Sequence, residues 1–169
     1  MKRIIIVMTL LAVSWFTIVS TDSYAAGEQP TQKGTPVKGA SEEAAVKSTM
    51  ASFYTALSSR DMSKMQAIWA HVPYATLLNP RDKAAAVGWS DISKRWQDVF
   101  DHWSYLNLTS KELPQVHVKG NAAWSHSMGL AQGTGKDGQQ TEFVTLQTDV
   151  FEKIGNRWLL VSHHASLQP

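Results

Sequence analysis

Six histidines are the residues of this 169-residue chain best suited to moving a proton near neutral pH. Two of them, His163 and His164, are adjacent in the stretch RWLLVSHHAS, residues 157–166, which reads as a β-strand. Alternation along a strand lets only one of the pair point to a given face. Trp158, Leu160, Ser162 and His164 fall on one side of that strand, and Leu159, Val161, His163 and Ala165 on the other. A third histidine, His126, alternates with Trp124, Met128 and Leu130, a bulky set of core type. With Tyr74 as a helper, His126, His163 and His164 are the candidate catalytic residues for acid–base chemistry. A buried, hydrogen-bonded structural histidine is the plainer explanation of each taken alone.

The candidate ligand-binding residues are His71, Trp96, Trp103, Tyr105, Thr145 and Gln147. The aromatic members have polar tips, which suits the wall of a mainly apolar pocket and equally suits core packing. Thr145, Gln147 and Asp149 alternate with Val144, Leu146, Thr148 and Val150, so they form a polar set on one face. That set is either a solvated sheet face or the polar wall of a pocket. A metal site needs three or four converging ligands, and the histidines supply two at most, so no metal and no cofactor are expected. A phosphate-binding glycine loop, a nucleophile elbow and a zinc-protease helix are missing from the sequence.

These groups must be positioned by helices followed by strands. Val46, Met50, Phe53 and Leu57 recur at helical spacing after an acidic start at Ser41, Glu42 and Glu43. Asp61 can cap a second, shorter helix through Met65, Ile68 and Trp69. Residues 75–87 read as two short extended pieces around the turn Asn79-Pro80-Arg81-Asp82. Ile92, Trp96 and Phe100 mark a third helix, capped by Ser90 or Asp91. From Trp103 onward the pattern is strands. The long runs 122–132 and 139–153 and the final strand are joined by glycine-containing turns, as in an antiparallel meander. The expected fold is α+β, with three N-terminal helices packed in a strongly curved antiparallel sheet, a cone-like α+β barrel. The face Ser125, Ser127, Gly129 and Ala131 is uniformly small and permits close approach by another sheet or by a ligand.

Residues 1–25 open with Lys2 and Arg3, continue through an apolar run, and close on Ser23-Tyr24-Ala25. That is the pattern of a signal peptide, and the apolar run falls short of the roughly 20 residues of a spanning helix. Residues 26–40, rich in proline and glycine, read as a flexible leader, and residues 41–169 as the folded domain. The expected location is periplasmic or secreted, with no stable membrane association after signal cleavage. Recovery of the exported protein with residues 1–25 still attached would count against this. The chain has no cysteine, so its stability rests on its core or on a partner subunit. Without Lys2, Arg3 and Asp22, the 16 basic and 14 acidic residues become 14 and 13, a balance that gives nucleic acid no foothold.

Several segments together resemble a known family. They are Phe53-Tyr54-x-Ala56 with Asp61, Ile68-Trp69-Ala70, Gly88-x-x-x-Ile92 with Trp96, Val116-His117-Val118-x-Gly120-x-Ala122-Ala123-Trp124, and residues 158–166. In that order they resemble the SnoaL-like, ketosteroid-isomerase-like family of the nuclear-transport-factor-like (cystatin-like) superfamily. The last two segments are also similar to the association domain of calcium/calmodulin-dependent kinase. The resemblance implies a pocket between helices and sheet and a homodimer through the sheet. Steroid isomerases use an aspartate base with a tyrosine and a protonated acid; that trio has no residue-by-residue match here. The arginine that kinase-association relatives carry on the strand of residues 122–131 falls at Gly129. The reading is therefore an exported small-molecule-binding domain of SnoaL-like type. The alternative is an isomerase- or lyase-like enzyme using histidine acid–base chemistry on a small apolar or cyclic substrate.

Overall fold

A computed structural model describes residues 38–169. The expected signal peptide, residues 1–25, and most of the expected leader, residues 26–40, lie outside the described residues. The elements in chain order are α1 (Lys38–Ser59), α2 (Met62–Ile68), β1 (Thr76–Leu78), β2 (Ala86–Val87), α3 (Gly88–His102), β3 (Trp103–Ser110), β4 (Gln115–Lys119), β5 (Ala122–Gly135), β6 (Gln140–Ile154) and β7 (Arg157–Leu167).

The helices form where the apolar periodicity requires them. Val46, Met50, Phe53, Ala56 and Leu57 of α1 are all buried, one stripe on one side of the helix. The helix starts at Lys38, three residues ahead of the acidic signal. Asp61 caps α2 as its position suggests, its Oδ1 accepting from the backbone N–H of Ser63 at 2.9 Å and of Lys64 at 3.1 Å. In α3 the buried positions are Ile92, Trp96 and Phe100. This helix begins at Gly88, before Ser90 and Asp91, and has no side-chain cap. Gly88 adopts φ +78°, a conformation open to glycine, while its N–H donates to Ala75 O at 2.8 Å. No helix among the described residues is long and apolar enough to cross a membrane.

The sheet corrects the expected architecture. Its order is β2-β1-β7-β6-β5-β3, with β4 pairing β5 beyond the end of β3. The β3–β5, β4–β5, β5–β6 and β6–β7 pairs are antiparallel, but β1 runs parallel to β7, with Leu77 opposite His163. The path ends on β2 and β3, which do not pair with each other. The sheet is thus an open, mixed layer, neither closed nor strongly curled. Two glycines of β5 are set by close packing. A Cβ on Gly133 would lie 2.6 Å from the Trp103 ring, and one on Gly129 would lie 2.6 Å from Gln147 Nε2. Both glycines make room for side chains lying against the strand.

The small-residue face of β5 accordingly points inward. Ser125, Ser127 and Ala131 are buried, whereas Trp124 and His126 are exposed. The bulky set that includes His126 is therefore the outer face, opposite to what its composition implied. On β7 the alternation is broken. Phe151 pairs with Leu160 and Val150 with Ser162, so Val161 has no partner on β6. This is a β-bulge. Trp158 and Leu160 are inward before it, and His163 and Ala165 are inward after it. The two faces read by simple alternation are exchanged at this point, which is why neither looked cleanly apolar.

Candidate functional site

Between α1, α3 and the inner face of the sheet lies a cavity of about 450 Å³. Leu57 of α1, Trp96 and Val99 of α3, and Leu106 and Leu108 of β3 form much of its apolar wall. Phe143 and Ala165 continue that wall on β6 and β7. Asn79, Pro80, Arg81 and Asp82 of the turn after β1 reach its edge. Such a volume and such walls suit a small organic molecule.

On the sheet side, the polar lining of the cavity is Thr145 and Gln147 of β6 and His163 of β7. His163, 4% exposed, lines it from β7. Its Nδ1–H donates to Asp149 Oδ1 at 2.7 Å, and Asp149 is 2% exposed. The sheet register sets this contact, because Asp149 and His163 are direct partners on β6 and β7. Ser125 Oγ donates to the other carboxylate oxygen at 3.4 Å. Phe53 and Trp96 hold the imidazole, with ring centroids 5.0 Å and 6.2 Å away. A carboxylate can only accept, so the neutral imidazole carries its proton on Nδ1 and leaves the Nε2 lone pair free. Among the described residues the hydrogen bond of the imidazole is made through Nδ1, and Nε2 takes none. The pair can take a proton from a bound molecule and return it elsewhere.

A second network lies beside it. Gln147 Oε1 accepts from Tyr54 Oη at 2.9 Å and from Ser127 Oγ at 3.3 Å. Gln147 Nε2 donates to Thr145 Oγ1 at 2.9 Å, and Thr145 Oγ1 donates to the Gly129 carbonyl at 3.4 Å. The amide of Gln147 thus fills the space above Gly129. Burial pushes the Tyr54 phenol above its ordinary 10.0; the Ser127 hydrogen bond opposes the rise and the charge of Asp149 adds to it. The folded state therefore holds this proton more tightly than the unfolded chain. Its stabilising contribution is complete below pH 10 and is lost as pH rises through the elevated value. Tyr54→Phe is expected to cost about 0.5–1.5 kcal/mol at neutral pH. The difference in melting temperature between the two proteins should shrink above pH 10, which thermal denaturation across that range will measure.

The sequence candidates separate into two groups. Trp96, Trp103, Thr145, Gln147 and His163 line the cavity. The others do not. His126 and His164 are on the outer face, where His126 Nδ1 lies 3.2 Å from Thr148 Oγ1. Tyr74 is exposed and donates to Glu152 Oε2 at 2.7 Å. His71 stacks on Trp89 with centroids 4.5 Å apart, and Tyr105 is exposed. Asp149 and Tyr54 are the residues that sequence reasoning left without a role. The signal for Asp149 was its place on the same face as Thr145 and Gln147. Among the described residues no group of three or more histidine, aspartate or glutamate side chains could hold a metal ion.

Comparison with known proteins places this fold in a wider group. Residues 46–169 match a family model described as a SnoaL-like domain. No curated protein matches the sequence. Among solved structures, a nuclear transport factor 2-like superfamily protein from Salmonella enterica serovar Typhimurium is similar, with a TM-score of 0.72 and 20% identity over 76% of this chain and 92% of that one. A Streptomyces avermitilis protein, assigned provisionally as a dehydratase of the same family, aligns at a TM-score of 0.70 and 18% identity, over 76% and 99% of the two chains. A Xanthomonas campestris protein, assigned provisionally as a calcium/calmodulin-dependent kinase II association domain, gives 0.64 and 19%, over 73% and 86%. At these identities the structural likeness establishes the shared fold.

Proposed function

This chain belongs to the SnoaL-like domain family, and on that footing we propose that its cavity binds a small, largely apolar molecule and that His163 moves a proton on it, in an isomerase- or lyase-like step. The observation that carries this reading is the buried His163–Asp149 pair at the cavity wall, with Nε2 free of partners. Asp149 fixes the tautomer, the aromatic rings fix the plane, and the apolar wall excludes water from the reacting atoms. The stereotyped polar network around Gln147 offers a hydrogen-bonding surface for one polar atom of the substrate. An exported location is part of the same proposal and is supported by the signal-peptide pattern of residues 1–25.

The reading is tested by incubating the protein in deuterium oxide with a panel of cyclic ketones and enones. Proton NMR then follows loss of the signal next to the carbonyl. Protein-dependent exchange that an apolar cavity ligand suppresses is the expected result. Binding of the same compounds without any exchange would make the domain a binding protein alone.

A homodimer through the outer face of the sheet is proposed alongside. The inward-facing small residues of β5 lend it no support. Its support is the exposed apolar surface of Trp124 and Leu146 on that face. Light scattering at micromolar concentration should report twice the mass of one chain, and a monomer mass would exclude the contact.

A further inference from the structure

Arg81 brings a cationic side chain to the cavity edge. Arg81 lies over the Phe143 ring, its guanidinium carbon 5.4 Å from the ring centroid. It forms no ion pair among the described residues. The two carboxylates nearest in the lining are already engaged. Asp82 pairs with Arg95 at 2.5 Å and accepts from the Asn79 N–H at 2.9 Å. Asp98 pairs with Lys94 at 3.0 Å.

We propose that the ligand is an amphipathic anion, with an apolar, ring-sized body inside the cavity and a carboxylate-type group held by Arg81 at its edge. This rests on the reading of the cavity as a ligand pocket. Arg81 brings a guanidinium to the cavity edge from the turn after β1. A planar guanidinium suits a carboxylate by forming two parallel hydrogen bonds, and the Phe143 face keeps it oriented. The apolar wall supplies affinity, and the charge selects among molecules of similar shape.

The probes are 2-naphthoate and its neutral counterpart 2-naphthamide, with binding to the purified protein followed by calorimetry at low salt. The expected result is a preference for the carboxylate of about two- to fivefold. Arg81→Met should abolish that preference. Arg81 is exposed, so the substitution does not endanger the fold. Equal binding of both probes by the unaltered protein, or a preference that survives in Arg81→Met, would overturn the anion assignment and leave the pocket reading standing. Failure of both probes to bind would overturn the pocket reading, and the anion assignment with it.

Discussion

Replacing His163 by glutamine is expected to slow deuterium exchange into a cavity-bound carbon acid by about 10²–10⁴-fold, with the fold retained. Glutamine keeps a hydrogen-bonding end near Asp149 and removes the basic nitrogen. Asp149→Asn is expected to lose nearly as much activity for a different reason. The asparagine amide can present either an acceptor or a donor to Nδ1. When it donates, the imidazole proton moves to Nε2, and the lone pair that faced the cavity is gone. Removing the partner altogether, as in Asp149→Ala, leaves a buried N–H unsatisfied and should cost about 1–3 kcal/mol. Exchange rates measured with thermal melts separate the two effects. The asparagine variant should melt close to the parent while its exchange collapses.

Gly133→Val should be the most damaging small substitution in the sheet. A Cβ there would lie 2.6 Å from two carbons of the Trp103 ring and 3.2 Å from a third. The indole is rigid, so it must swing away as a unit or the strand must move. Either response is overpacking and is expected to cost about 1–3 kcal/mol. Trp103 also walls the cavity, so ligand affinity should fall with stability. Thermal denaturation and binding of an apolar probe will check both. Gly129 is a useful contrast. Its nearest neighbour is the end of the Gln147 side chain, which can move at the loss of its hydrogen bonds. Gly129→Ala should thus disturb the Tyr54–Gln147 network more than the packing.

The helices and the strand order along the chain could be read from periodicity, because Phe53, Ile92, Trp96 and Phe100 repeat at helical spacing and are buried. The choice between His163 and His164 could not. It depends on the bulge at Val161, which reverses the facing of everything after it without leaving a composition signal. Likewise His126 looked inward because Trp124, Met128 and Leu130 are bulky, yet the inner face of β5 is the small one. Side chains from elsewhere, Trp103 and Gln147, already occupy the space above it. The parallel β1–β7 contact was invisible for a simpler reason. Three residues of β1 carry too little alternation to reveal a partner some 85 positions away. Asp149 was seen as part of a polar set, and only the β6–β7 register turns it into the partner of His163.

The proposed base is Nε2 of His163, with the imidazole proton held on Nδ1 by Asp149. Long-range proton–nitrogen NMR of the imidazole side chains reads this tautomer directly. One histidine, absent from the spectrum of His163→Gln, should carry its proton on Nδ1 and show an Nε2 signal that shifts when an apolar ligand fills the cavity. A proton found on Nε2 of that histidine, or a ligand that leaves its nitrogens unmoved, would contradict this assignment.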